Sequence, residues 1–193
     1  MRIISGKYKG HRISPPKNLP VRPTTDMSKE ALFNVLNNHF NFSELTVLDL
    51  FAGTGNISFE FGSRGSERIT SVDQDFGCVK FIKQTADEFD FPIAAIKSDV
   101  FGYIDKCKAS YDLIFADPPY ALDQKTFDKL VLSIFEKNLL NQAGMMVIEH
   151  SKYTQMEHLE NFSFKKSYGG SIFSFFEFEK IGDEDVVNEE DEG

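Results

Sequence analysis

Between Leu45 and Glu149 the chain alternates short apolar runs with longer stretches of helical period. Five runs have strand length: Thr46 to Leu50, Arg68 to Val72, Pro92 to Ile96, Tyr111 to Ala116 and Gly144 to Glu149. Helices are expected between them, over residues 56–63, 76–89, 100–106 and 125–137. Val79, Phe81, Ile82 and Phe89 mark the buried side of the second of these helices. Strands separated by helices imply an α/β fold, a mostly parallel doubly wound sheet covered on both faces. Its commonest order with five strands, 3-2-1-4-5, sets strands one and four side by side, with ligands at the switch between them.

The ends of the chain read differently. Residues 2–13 suggest two short strands about Gly6-Lys-Tyr-Lys-Gly10, and residues 14–25, with Pro15, Pro16, Pro20 and Pro23, read as a loop. A helix capped by Asp26 or Ser28 runs to about Phe40, with Leu32, Phe33, Val35, Leu36 and Phe40 at helical spacing. Residues 162–168 and 171–179 form a closing hairpin that turns at Gly169-Gly170 and adds an antiparallel edge. The expected organisation is an N-terminal basic extension over 1–44, a catalytic domain over 45–180 and a disordered acidic tail over 181–193.

Charge refines that division. The net charge of the 193 residues is -9, but residues 181–193 carry seven acids and no Lys or Arg. Residues 1–30 hold seven bases (Arg2, Lys7, Lys9, Arg12, Lys17, Arg22 and Lys29) against Asp26 and Glu30. A basic arm suits phosphates, although a solvated basic surface has the same composition. No apolar run approaches 18 residues, and the start lacks the apolar core of a signal peptide, so neither membrane nor export is expected. Cys78 and Cys107 have no metal or redox spacing and the four histidines are scattered; a reduced, cytoplasmic setting and no metal are expected.

Two motifs carry chemistry. Asp49-Leu-Phe-Ala-Gly53-Thr-Gly55-Asn56 closes the first strand and opens a helix; its glycines allow a tight turn and close approach of a ligand. Asp73 ends the second strand, where an acid accepts hydrogen bonds from ribose hydroxyls, and Asp99 ends the third. Dinucleotide sites share this outline, but the third fingerprint position is Ser58, and Asp49 suits a cation better than a pyrophosphate. Asp117-Pro-Pro-Tyr120 follows the fourth strand. Its prolines fix the backbone and remove two donors, leaving a rigid segment rich in acceptors. Asp117 and the carbonyl of Pro118 suit the two hydrogens of an exocyclic amine, and Tyr120 offers a face to an extruded base.

Taken in order, Asp49 to Asn56, Val72-Asp-Gln-Asp75, Ser98-Asp-Val100 and Asp117 to Tyr120 resemble the class I S-adenosylmethionine-dependent methyltransferases, of Rossmann-like fold. Arg2 to Gly10, Val21-Arg-Pro-Thr-Thr-Asp26 and Lys29-Glu-Ala-Leu-Phe-Asn34 are similar to the RsmD family, bacterial guanine-N2 methyltransferases of 16S rRNA. The likeness runs from Arg2 to about Lys180; Ser5 and Met27 depart from the family pattern. It implies S-adenosyl-L-methionine as cofactor. Asp49, Gly53, Gly55 and Asn56 would line its methionine side, Asp73 its ribose and Asp99 its adenine end, with Phe51, Ala52, Thr54, Gln74 and Val100 completing the pocket. Asp117, Pro118 and Tyr120 would hold the guanine. The implied partner is 16S rRNA, within an assembling 30S particle; a monomer is expected, since nothing in the sequence demands more.

With no cysteine beside Asp117, direct methyl transfer without a covalent intermediate is expected. Lys7, Lys9, Arg12 and Arg22 would grip RNA phosphates. Tyr8 fits either stacking on RNA or packing on the sheet edge, and Arg22 and Thr24 fit either the arm or a cover over the cofactor. Three rivals remain at this stage: a DNA adenine-N6 methyltransferase, an NAD-dependent oxidoreductase, and a non-catalytic ribosome-assembly factor.

Overall fold

The computed structural model of the protein describes residues 1–17, 19 and 25–179. Arg22, Val21, Thr24 and the acidic tail lie outside the described residues. Helix α1 spans Asp26–Leu36 and strand β1 Thr46–Leu50, with a 3-10 turn at Phe42–Glu44 between them. Then follow α2 (Asn56–Ser63), β2 (Arg68–Asp73), α3 (Phe76–Phe89), β3 (Ile93–Lys97), α4 (Val100–Lys106), β4 (Tyr111–Ala116), α5 (Gln124–Glu136) and β5 (Leu140–His150). Strands β6 (Phe162–Tyr168) and β7 (Ser171–Phe176) close the fold.

The sheet order is β3-β2-β1-β4-β5-β7-β6. The first five strands are parallel, as the repeating strand–helix pattern requires, and β7 enters antiparallel between β5 and β6. Alternation along each strand divides the core. Val47, Leu113, Val147 and Phe173 face α1 and α2, packing on Leu32, Phe33 and Phe61. Leu48, Ile114 and Ile148 face the other way, against Val131 and Ile134 of α5. Both faces are apolar, which is why these strands read as near-continuous hydrophobic runs.

Several boundaries differ from expectation for local reasons. Thr25 caps α1, its side chain accepting from the Ser28 N–H at 3.1 Å, so neither Asp26 nor Ser28 is the cap. The helix stops at Leu36 rather than Phe40 because its buried stripe of Lys29, Leu32, Phe33 and Leu36 ends there. On α3 the buried stripe is Cys78, Ile82, Thr85, Ala86 and Phe89; Val79 and Phe81 flank it, half-buried. Strand β5 starts at Leu140, which pairs with Tyr111 ahead of a register shift.

The expected N-terminal strands reduce to one antiparallel bridge, Arg2 with Arg12. The segment is nonetheless pinned. Ile3 N–H donates to His11 O at 2.9 Å, while Ile4 and Ser5 N–H donate to the Glu60 carboxylate on α2 at 2.8 and 2.9 Å. Those two donors go to a side chain instead of a neighbouring strand, so no ladder grows. Gly6, at φ +83°, lies so close to Ser63 that a Cβ there would sit 1.9 Å from its carbonyl oxygen. Lys29, counted with the arm in the sequence, is fully buried. Its ammonium meets Glu60 Oε2 at 3.2 Å, Arg2 O at 2.7 Å and Asn56 Oδ1 at 2.9 Å. It is a structural cation and does not face RNA.

Candidate active site

At the carboxyl ends of β1, β2, β3, β4 and β5 a cavity of about 510 Å³ opens. Ten of the eleven positions expected to hold a cofactor line it: Asp49, Phe51, Ala52, Gly53, Thr54, Asn56, Asp73, Gln74, Asp99 and Val100. Gly55 lies behind them. It caps α2 at φ +77°, and a Cβ there would press on Ile82 and Phe59 at 2.9 and 3.0 Å, so its role is to let the loop turn against α3. Phe51 also takes a positive φ of 59°, a strained setting for a side chain that concentrates at functional loops. The loop is held by Asp73, whose Oδ2 accepts Gly53 N–H at 2.8 Å while its Oδ1 accepts Asp75 N–H at 2.8 Å. Asp99 caps α4 by accepting Gly102 N–H at 2.9 Å and stays exposed.

Asp49 is buried at the last turn of β1. Burial raises its carboxyl to about 7, opposed by the hydrogen bond from Ser58 and reinforced by the charge of Asp73. Ser58 Oγ donates to Asp49 Oδ2 at 2.5 Å and lies 2.6 Å from Ser71 Oγ. With its one proton on the carboxylate, Ser58 leaves Ser71 to act as donor in the second contact. This explains the departure from Gly or Ala at that fingerprint position: the serine supports a buried acid.

Because β1 and β4 are neighbours, the Asp117-Pro-Pro-Tyr loop faces the Gly-rich loop. Asp117 N–H donates to Leu50 O at 3.3 Å. Asp117 is half-buried, Pro118 buried, and Tyr120 half-exposed with its hydroxyl 3.4 Å from Ser171 Oγ on β7; all three line the same cavity. The lining also includes residues that periodicity did not mark: Thr25, Ser28, Glu149, Gly169 and Ser171. Of these only Glu149 left a signal, an acid ending a run of apolar residues beside the switch point.

Of the described residues of the arm, 1–17 do not line the cavity, whereas Thr25 and Ser28 do. The arm's first residues lie along α2: Arg2 is joined to Asn56 through Lys29 of α1, Ser5 lies beside Glu60, and Lys7 and Tyr8 beside Ser63. Helix α2 starts at the cavity and, with eight residues, is about 12 Å long. Lys7 and Lys9 are exposed at its far end, while Arg12, bridged to Arg2, is exposed nearer the cavity. Tyr8 packs: its ring meets Phe89 and Phe91 edge-on and its hydroxyl donates to Phe89 O at 2.9 Å. The ring is half-buried, with the Lys7 ammonium 5.0 Å from its centroid.

The chemistry of the lining tests the cofactor. Six carboxylates (Asp49, Asp73, Asp75, Asp99, Asp117 and Glu149) face the cavity, with no Lys, Arg or His among its described residues. Such a site repels a pyrophosphate and attracts a cation. An amino acid joined through a sulfonium to a nucleoside, with an ammonium for Asp49 and ribose hydroxyls for Asp73, fits this donor set. Burial pushes the Cys78 thiol up to about 12, which leaves it inert, and Cys107 caps the far end of α4. Among the described residues no group of three or more His, Cys, Asp or Glu is placed to hold a metal ion, and no helix is long and apolar enough to cross a membrane.

The fold and site together define a class I S-adenosylmethionine-dependent methyltransferase. A family model described as "Conserved hypothetical protein 95" matches residues 1–177. Ribosomal RNA small subunit methyltransferase D of Buchnera aphidicola is 31% identical over 139 residues, 72% of this chain and 69% of its own. A solved hypothetical protein of Thermus thermophilus has a TM-score of 0.79 at 23% identity, over 92% of this chain and 99% of its own. The T. thermophilus 16S rRNA N2 methyltransferase RsmC, solved with AdoMet and guanosine, gives a TM-score of 0.66 at 17% identity, over 83% of this chain and 45% of its own. The chain belongs to the Conserved hypothetical protein 95, or RsmD, family of S-adenosylmethionine-dependent methyltransferases.

Proposed function

We propose that the protein methylates the exocyclic N2 of a guanine in 16S rRNA, acting in the cytoplasm as a monomer on an assembling 30S particle. The observation that carries this reading is the single cavity shared by the Gly-rich loop and the Asp117-Pro-Pro-Tyr loop on adjacent parallel strands. When bound, S-adenosylmethionine supplies an electrophilic sulfonium methyl group. The protein's own work is alignment and electrostatics. Asp117 and the Pro118 carbonyl accept the two N–H bonds of the base amine, which localises its lone pair. Tyr120 stacks on the flipped base. As the amine becomes cationic, Asp117 stabilises the charge and takes the departing proton, or passes it to water. Lys7, Lys9, Arg12 and Arg22 track the RNA backbone. The names of relatives in the family, and the RsmC fold, support rRNA as the substrate class.

The test is incubation with tritiated S-adenosylmethionine and either 30S particles or naked 16S RNA from cells lacking the endogenous enzyme, followed by nucleoside analysis. Label in N2-methylguanosine, stronger on particles than on naked RNA, is the expected result. Label in N6-methyladenosine, or none despite cofactor binding, overturns it.

A further inference from the structure

Among exocyclic amines, N2 of guanine lies between two ring nitrogens, N1 and N3, whereas N6 of adenine and N4 of cytosine each lie beside one. Guanine N1 carries a hydrogen, while the ring nitrogen beside the amine of adenine or cytosine is a bare acceptor. An enzyme that grips only the amine does not separate them. The sheet register supplies a second acceptor. In the parallel pairing of β4 with β5, Phe115 lies opposite Val147 and Ala116 opposite Ile148. Asp117 and Glu149 each follow that last pair by one residue, and both line the cavity. Alternation keeps both on the face of Leu113, Phe115, Met145 and Val147, the face that α1 covers. Glu149 is buried, 4% exposed, yet lines the cavity with Asp117, Tyr120 and Ser171. It also pairs with Phe173 on β7, which fixes the strand that carries it from both sides.

We infer that Glu149 is a specificity-determining residue that accepts the N1–H of the target guanine while Asp117 and Pro118 hold its N2 amine. The inference rests on the guanine-N2 reading above. A carboxylate is an acceptor with several lone-pair directions, so it takes an N–H in addition to its contacts within the protein. Set against adenine N1 or cytosine N3, the same oxygen meets a lone pair, and that mismatch leaves a buried acceptor unpaired. The carboxylate therefore selects by attraction to one base and repulsion of the others.

The substrate-side test uses 30S particles reconstituted with 2-aminopurine in place of the target guanine. That base keeps the amine at C2 but has an unprotonated N1. Wild-type protein is expected to methylate guanine over 2-aminopurine by about 10- to 100-fold in kcat/KM, the discrimination of a well-placed base contact. Glu149→Gln, whose amide N–H can donate to a bare N1, should bring that ratio to within about 3-fold and keep S-adenosylmethionine affinity. An unchanged ratio in the variant overturns the role of Glu149. So does equal use of the two bases by wild type, a result that needs no variant to fold. Label outside guanine in the wild-type reaction is a different failure, that of the guanine-N2 reading itself.

Discussion

Glu60 is where the arm, α1 and the cofactor loop are tied together, and its replacement by Gln is the sharpest test of how they cohere. Its fully buried carboxylate receives four donors: Ile4 N–H, Ser5 N–H, the Lys29 ammonium and Arg64 Nε at 3.0 Å. Burial holds the Lys29 ammonium below its ordinary pKa, and the charge of Glu60 is the first influence opposing that. Glu60→Gln keeps the shape but leaves a buried cation without its counter-charge and turns an NH2 towards two donors. Breaking a buried pair from one side costs about 3–5 kcal/mol, out of a domain stability of about 5–15 kcal/mol. Lys29→Met leaves Arg2 O and Asn56 Oδ1 short of a donor, at roughly 1–3 kcal/mol for each buried polar group. The double variant should be more stable than the sum of the single losses by at least about 1 kcal/mol, the signature of direct coupling. Urea denaturation of the four proteins, read as midpoint shifts at constant slope, gives these values. A Glu60→Gln loss below about 1 kcal/mol, or losses that add within about 0.5 kcal/mol, would refute the reasoning.

Three further outcomes are expected. With its folded pKa near 7 against an ordinary 3.8, Asp49 binds a proton more tightly when folded. Its contribution to stability without cofactor should therefore be fullest below about pH 4 and fall, by about 4 kcal/mol in all, as pH rises to 7. Cofactor affinity, which needs the ionised carboxylate, should move the opposite way and gain about 30-fold from pH 5.5 to 8; calorimetry showing a flat profile, or Asp49→Asn keeping the slope, counts against it. Asp117→Asn should lower kcat by about 10²–10³-fold with cofactor binding retained, measured by single-turnover label transfer. Neutralising Lys7, Lys9 and Arg12 together should reduce the slope of log affinity for single-stranded RNA against log salt by about 2 and leave cofactor affinity unchanged; an unaltered slope removes the arm from the RNA interface.

Much of the frame was legible because it depends on local pattern. Helices α2, α3 and α4 and strand β4 begin and end where periodicity and the flanking Gly or Asp residues place them. The Gly-rich turn and Asp117-Pro-Pro-Tyr were readable because their backbone demands select residue types directly. Misreadings arose where a distant partner decides. Thr25 outcompetes Asp26 as cap only once the chain path into α1 is fixed. The arm forms one bridge because Glu60, more than fifty residues away, takes its donors. Lys29 looked like one of seven cations, and no rule of composition separates it from Lys7.

By itself the sequence determined the α/β alternation, the class of cofactor and the Asp117-Pro-Pro-Tyr loop, since each follows from residues close together in the chain. The tertiary structure alone decided which charges act where. It buried Lys29 as a strut, made Asp99 a helix cap as well as a cavity acid, packed Tyr8 edge-on against two phenylalanines, and brought Glu149 into one cavity with Asp117. The reason is physical: a side chain's charge is a property of its type, but its desolvation and its partners depend on strand register and packing, which join residues tens of positions apart.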